Sequence, residues 1–148
     1  MIEKELTGEI IKVFYKVYNA LGYGFVESIY HNSMMIELAA AGLTVESEKA
    51  IAVYYGDQVV GMFSADIVVE DLVILELKAK ERLAAAHEAQ LINYLRSTEI
   101  EIGLLLNFGK EPEFKRKVFS NENKRLRKTP SEEQLFKNLL SRDFPDPL

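Results

Sequence analysis

A chain of 148 residues with 48% hydrophobic and 28% charged side chains suits one soluble domain with a real core. It has no cysteine, which excludes a disulfide framework and thiolate metal sites, and no apolar run approaches the roughly 18 residues of a membrane span. The opening stretch MIEKELTGEIIKVF is acidic and periodic, unlike a secretory signal, which leads us to expect a cytoplasmic protein.

Residues 3–21 place Leu6, Ile10, Val13, Phe14, Val17 and Leu21 at three- and four-residue steps, and this predicts an amphipathic helix. Gly22 and Gly24 break it. A second helix is expected from Phe25 to Ala41, with Val26, Ile29, Tyr30, Met34 and Leu38 on one stripe. Glu27 falls in its first turn, where the helix dipole favours an acid, and one turn before Tyr30. Leu43-Thr44-Val45 reads as a short strand entry. Ile51–Tyr55, Gly56-Asp57 and Gln58–Phe63 read as a hairpin, and a separate pair of strands follows.

That later pair carries the chemistry. Asp66-Ile67-Val68-Val69, the turn Glu70-Asp71, and Leu72-Val73-Ile74-Leu75 running into Glu76-Leu77-Lys78 predict a second hairpin. Side-chain alternation puts Glu76 and Lys78 on one face, with Asp66 beside them. Two carboxylates brought together repel, and a divalent cation relieves that repulsion. Mg²⁺ favours oxygen ligands of this kind, and a lysine alongside can orient water or stabilise charge on a phosphate. The same short pattern is equally met by a strand end whose Glu and Lys form a solvated ion pair.

Residues 83–96 predict a helix with Leu83, Ala84, Leu91 and Leu95 as buried candidates and His87, Gln90 and Tyr94 along one face. Ile100–Phe108 is apolar enough for a strand buried on both faces, and Phe114–Phe119 suits a charged edge strand. Beyond Ser120 a basic linker leads to a capping-box pattern at Ser131, with Leu135, Phe136, Leu139 and Leu140 behind it. That stripe must pack on this chain or on a second copy, so a homodimer is one expected arrangement. The domain reading is 1–120 as the core and 121–148 as linker and helical extension. The expected architecture is a single α/β domain with a mixed central sheet flanked by helices, the 83–96 helix forming a right-handed crossover.

The net charge of −5 runs against nucleic-acid binding, which rests on phosphate neutralisation. Its distribution is uneven: residues 1–109 carry a net −8, whereas 115–128 hold seven Lys/Arg against Glu122 alone. That cluster reads either as a phosphate-binding flank or as a solvated edge and linker.

Asp66…Glu76-Leu77-Lys78 resembles the PD-(D/E)xK nuclease superfamily. Gly24-Phe25-Val26-Glu27-Ser28-Ile29-Tyr30 matches the motif that names its GxxExxY family, and His87–Tyr94 and Gly103–Gly109 resemble that family's later blocks, in the same order. The resemblance covers roughly residues 5–120 and implies a restriction-endonuclease-like core with a Mg²⁺-dependent nuclease site, Mn²⁺ being an alternative metal. On that reading Asp66 and Glu76 ligate the metal, with the Leu77 carbonyl as a further oxygen. Lys78 positions the attacking water, Glu27 supports metal or water, and Gln90 binds phosphate or Lys78. The partner is DNA or RNA. A non-catalytic interaction protein keeping the fold is the alternative, and a hydrolase for a small phosphorylated substrate is a third reading.

Overall fold

Leu6, Ile10, Val13, Phe14 and Val17 recur on one side of α1 (Lys4–Leu21), and all but Leu6 are buried in the computed structural model, which describes residues 3–124. Gly22 ends the helix at φ 70°, a left-handed value open to a residue without Cβ. Helix α2 (Glu27–Ala40) buries Tyr30, Met34 and Leu38 but leaves Val26 and Ile29 exposed, so the predicted stripe is too wide at its start. The reason is positional. Val26 is the N-cap, ahead of the first helical turn, and its side chain does not reach the stripe that Tyr30 opens.

Five strands follow in sheet order β1-β2-β3-β4-β5. β1 (Val45–Tyr55) and β2 (Gln58–Val69) form a long hairpin about Gly56-Asp57, with φ 63° at Gly56. The strand expected to end near Phe63 and the strand expected to start at Asp66 are therefore one element, because Ser64 and Ala65 keep their pairing with Ala50 and Lys49. The β2–β3 connection is tight, as its polar sequence suggests. Glu70 and Asp71 take φ 55° and 54°, and the Leu72 N–H donates to the Val69 carbonyl at 2.9 Å. Two successive positive φ values are those of a type I′ turn, whose twist suits a hairpin.

β3 (Val73–Lys78) runs parallel to β4 (Ile102–Phe108), with Lys78 opposite Asn107, and α3 (Ala85–Arg96) makes the crossover. β5 (Pro112–Val118) closes the far edge antiparallel to β4. α3 starts later than the sequence suggests. Ala84 is its exposed N-cap and Leu83 is half-buried. His87 serves locally there, its Nδ1 accepting the Ala84 N–H at 3.0 Å.

Alternation along the strands divides the core. Ile67, Val69, Val73, Leu75, Leu77, Leu104 and Leu106 meet α1 and α2 on one face, while Val68, Ile74 and Leu105 meet Leu91 and Leu95 of α3 on the other. Each fully buried aliphatic of this size contributes about 1.5–3 kcal/mol relative to exposure. Leu91 sits over Gly103, where an added Cβ would lie 2.6 Å from Leu91 Cδ1. The tail expectations, including the 131–140 helix and its docking, lie outside the described residues. Among the described residues no helix is long and apolar enough to cross a membrane.

Gly103→Ala is expected to lower stability by about 1–3 kcal/mol, the usual cost of overpacking a well-filled core. Urea denaturation measures it, and stability equal to the parent would contradict the tight seating of Leu91.

Candidate functional site

Three of the chemical side chains come from the place where β2 and β3 stop pairing regularly. The ladder is regular through Ile67–Leu75, and beyond it side chains take over from main chain. The Asp66 N–H donates to Glu76 Oε2 at 3.1 Å, and the Leu77 N–H donates to Asp66 Oδ2 at 2.8 Å. Each carboxylate thus satisfies the partner strand's backbone, and the two carboxyl groups come within hydrogen-bonding reach of each other. Glu76 is only 6% exposed, Asp66 is half-buried, and Lys78 is half-buried close enough for its charge to act on Glu76.

Burial pushes the Glu76 carboxyl up to about 9, and the negative charge of Asp66 adds to the rise, against smaller opposing pulls from the Asp66 N–H and Lys78. Tyr94 lies on the same side. Burial raises its hydroxyl above the ordinary tyrosine range and the charges of Glu76 and Asp66 raise it further, while its ring stacks on Phe63 at 3.7 Å. Gln90, exposed on α3, hydrogen-bonds through its side chain with Tyr94.

Glu27 reaches the site from the other side of the sheet end. Tyr30 sets its position: the buried hydroxyl donates to the Gly22 carbonyl at 2.6 Å and accepts the Phe25 N–H at 3.3 Å, and the ring stacks on Phe108 at 4.3 Å. The loop before α2 is therefore tied to the core on both sides of Gly24, whose φ is 109°. Glu27 and Asp66 line one cavity of about 370 Å³, together with Ser28, His31, Asn32, Ser47, Glu48 and Leu77.

His31, Ser47 and Glu48 are cavity residues that the sequence reading did not single out. His31 Nε2 lies 2.7 Å from Ser47 Oγ and its Nδ1 lies 4.0 Å from Glu48 Oε1. Glu48 interrupts β1 at φ 54°, between the pairs Ser47–Ile67 and Lys49–Ala65, so it stands opposite Asp66. A non-glycine residue in that conformation stores backbone strain beside the site. His31 was within reach of sequence reasoning, since it lies one helical turn beyond Glu27. Nothing in the sequence marks the conformation of Glu48.

Asn107 holds the strand end from beneath. Fully buried opposite Lys78, it accepts the Lys80 N–H and donates to the Lys80 carbonyl, both at 2.9 Å. The basic cluster is partly structural. Lys117 pairs with Glu88 at 2.6 Å, and Lys124 Nζ donates to the Thr98 and Ile100 carbonyls at 2.7 and 2.9 Å. Lys115 and Arg116 lie on β5, and Arg125, Arg127 and Lys128 lie outside the described residues.

The donor set suits a hard divalent cation. Burial, with the negative charge of Asp66 adding to it, favours the protonated form of Glu76, and a cation there would replace that proton. Among the described residues no group of three or more His, Asp and Glu side chains is poised as a ready cage. Mg²⁺ needs none, since it is commonly held by one or two carboxylates with several waters.

A family model described as the PD-(D/E)XK nuclease superfamily matches residues 4–117. No curated protein matches the chain. Among solved structures the crystal structure of SSO0001 is similar in fold, with a TM-score of 0.51 and 19% identity, over 63% of this chain and 50% of that one. This chain thus spans half the length of that structure.

The Glu76 proton has a consequence for stability. A group that holds its proton to about pH 9 when folded, against 4.5 when unfolded, favours the native state. That contribution is whole below about pH 4.5 and is lost as pH rises toward 9. In EDTA, thermal unfolding of the protein relative to Glu76→Gln should show the gap widening in favour of the variant from pH 6 to pH 9. A gap independent of pH would show that Glu76 is not held neutral.

Proposed function

Because the chain belongs to the PD-(D/E)XK nuclease superfamily, we propose that it hydrolyses phosphodiester bonds in nucleic acid with Mg²⁺, Mn²⁺ being able to substitute. The observation that supports this reading is the Asp66–Glu76 carboxyl pair, Glu76 buried and Asp66 half-buried, with Lys78 beside it. The motif Gly24…Glu27…Tyr30, whose tyrosine ties the loop carrying the glycine, supports placing the chain in the GxxExxY branch.

Asp66 and Glu76 would hold the cation, which supplies charge neutralisation at the scissile phosphate. Lys78 stands beside the same point, where it would orient the attacking water and stabilise negative charge as it develops on phosphate oxygens. Glu27, which lines the same cavity as Asp66, would orient water by accepting its hydrogen bonds or support the cation through its carboxylate oxygens. Tyr94 and Gln90 form a hydrogen-bonded polar wall on the α3 side, with exposed Gln90 at the edge that would meet the substrate backbone. Asn107 keeps the chain after Lys78 from shifting.

One observation favours the alternative of a non-catalytic interaction protein. The outer half of the β1–β2 hairpin exposes the apolar side chains of Tyr55, Val59, Val60 and Met62, which have no part in the chemistry above.

Lys78→Ala separates the two. Losing a preorganised electrostatic group of this kind costs about 10²–10³ in rate, so the variant should lose Mg²⁺-dependent cleavage of labelled single- and double-stranded DNA and RNA while keeping its fold. Activity that survives both EDTA and the substitution would rule out the mechanism. Absence of cleavage by the parent protein on every substrate would leave the interaction protein.

A further inference from the structure

A second cavity, of about 320 Å³, is lined by the chain that leaves β3 just after Lys78. Tyr23 and Phe25 form one wall, Ala79, Lys80 and Glu81 the next, and Gly109 and Lys110 close it. Ala79 and Lys80 directly follow Lys78, and Phe25 is two residues before Glu27. The cavity is therefore joined to the carboxylate site through both the loop before α2 and the chain leaving β3.

Its lining is unusual for a surface that serves only folding. Tyr23 is 59% exposed and Phe25 47%, on a loop that Tyr30 ties down. Two aromatic rings are thus presented to water on a rigid frame, so a ligand would not have to order them. Among the described residues Lys80 and Lys110, both exposed, take part in no ion pair. Aromatic faces beside uncommitted lysines match a ligand with flat π-surfaces and repeated negative charge, which is the pattern of single-stranded nucleic acid. Bases in a duplex already stack on each other and offer no free face.

We propose that this cleft, between the loop 22–25 and the chain after β3, seats an unpaired nucleotide strand leading to the carboxylate site. The proposal rests on the nuclease reading and deepens it, by giving the substrate a single-stranded flank next to the scissile bond. Tyr23 and Phe25 stack on bases, while Lys80 and Lys110 meet phosphates. The acidic cavity around Glu27 and Asp66 repels phosphate until a cation is bound, so strand binding in EDTA falls to the aromatic cleft.

The chain has no tryptophan, so Tyr23→Trp introduces a single indole into the cleft. Its fluorescence is titrated in EDTA with oligothymidylate and oligouridylate, with a duplex of equal length, and with inorganic polyphosphate. Stacking predicts saturable quenching by one or both single strands. Duplex and polyphosphate should quench little, although polyphosphate competes at high concentration. By anisotropy, Tyr23→Ala should weaken binding of the quenching strand by about tenfold, within the range for losing one stacking surface. Tyr23→Phe should restore it, and Lys80→Ala/Lys110→Ala should reduce its salt dependence. Equal quenching by duplex, no quenching by either strand, or unchanged affinity in Tyr23→Ala would overturn the proposal. The nuclease reading fails separately: quenching without any Mg²⁺-dependent cleavage would remove the hydrolase and keep the cleft.

Discussion

The arrangement depends on two hydrogen bonds that cross between strands: Asp66 N–H to Glu76 Oε2 and Leu77 N–H to Asp66 Oδ2. Where the β2–β3 ladder would continue, each strand instead offers a backbone donor to the other's carboxylate. This satisfies main chain that would otherwise be stranded at a sheet interior, and it draws two acids together in a half-dry place. Burial and the repulsion between them both push Glu76 toward its protonated form. A sheet that only had to be stable would gain by replacing such a pair with apolar residues. Keeping it makes sense where the charge is used.

Around that pair, the chain supplies rigidity from below and access from above. Tyr30 and Asn107 are both fully buried, and both spend their polar atoms on backbone: Tyr30 on Gly22 and Phe25, Asn107 on Lys80. These bonds fix the two chain segments that carry Glu27 and Lys78 to their positions. Gly109 belongs to the same brace, since an added Cβ there would collide with the Lys80 carbonyl. The loop 22–25 and the chain after β3 are thus held by the core yet open to solvent on their outer sides.

Much of this was legible in the sequence because it follows from period and turn chemistry. The 3.6-residue spacing of Ile10, Val13, Phe14 and Val17 gave α1, and Glu70-Asp71 between two apolar runs gave the hairpin that faces Asp66 toward Glu76. Alternation placed Glu76 and Lys78 on the face opposite Leu75 and Leu77. What was not legible depends on tertiary partners. Ser64-Ala65 looks like an interruption until β1 pairs with it, and Val26 and Ile29 look like core until the exact start of α2 turns them out. The left-handed Glu48 and the Lys80 bonds of Asn107 join residues 16 to 27 positions apart, beyond any local pattern. Charge counting misled in a different way. Lys117 and Lys124 are used to hold Glu88 and the Thr98–Ile100 loop, so the apparent basic patch is smaller than its sequence suggests.

The central claim is that the Asp66–Glu76 pair is built for a divalent cation. The direct measurement is calorimetric titration of Mn²⁺ into the protein at pH 7, in buffers of differing ionisation enthalpy, which yields both affinity and protons released. Because burial and the charge of Asp66 favour the protonated form of Glu76, the account predicts binding at one site with release of about one proton per ion, and loss of that binding in Asp66→Ala. Absence of binding, binding without proton release, or binding unchanged by Asp66→Ala would contradict it.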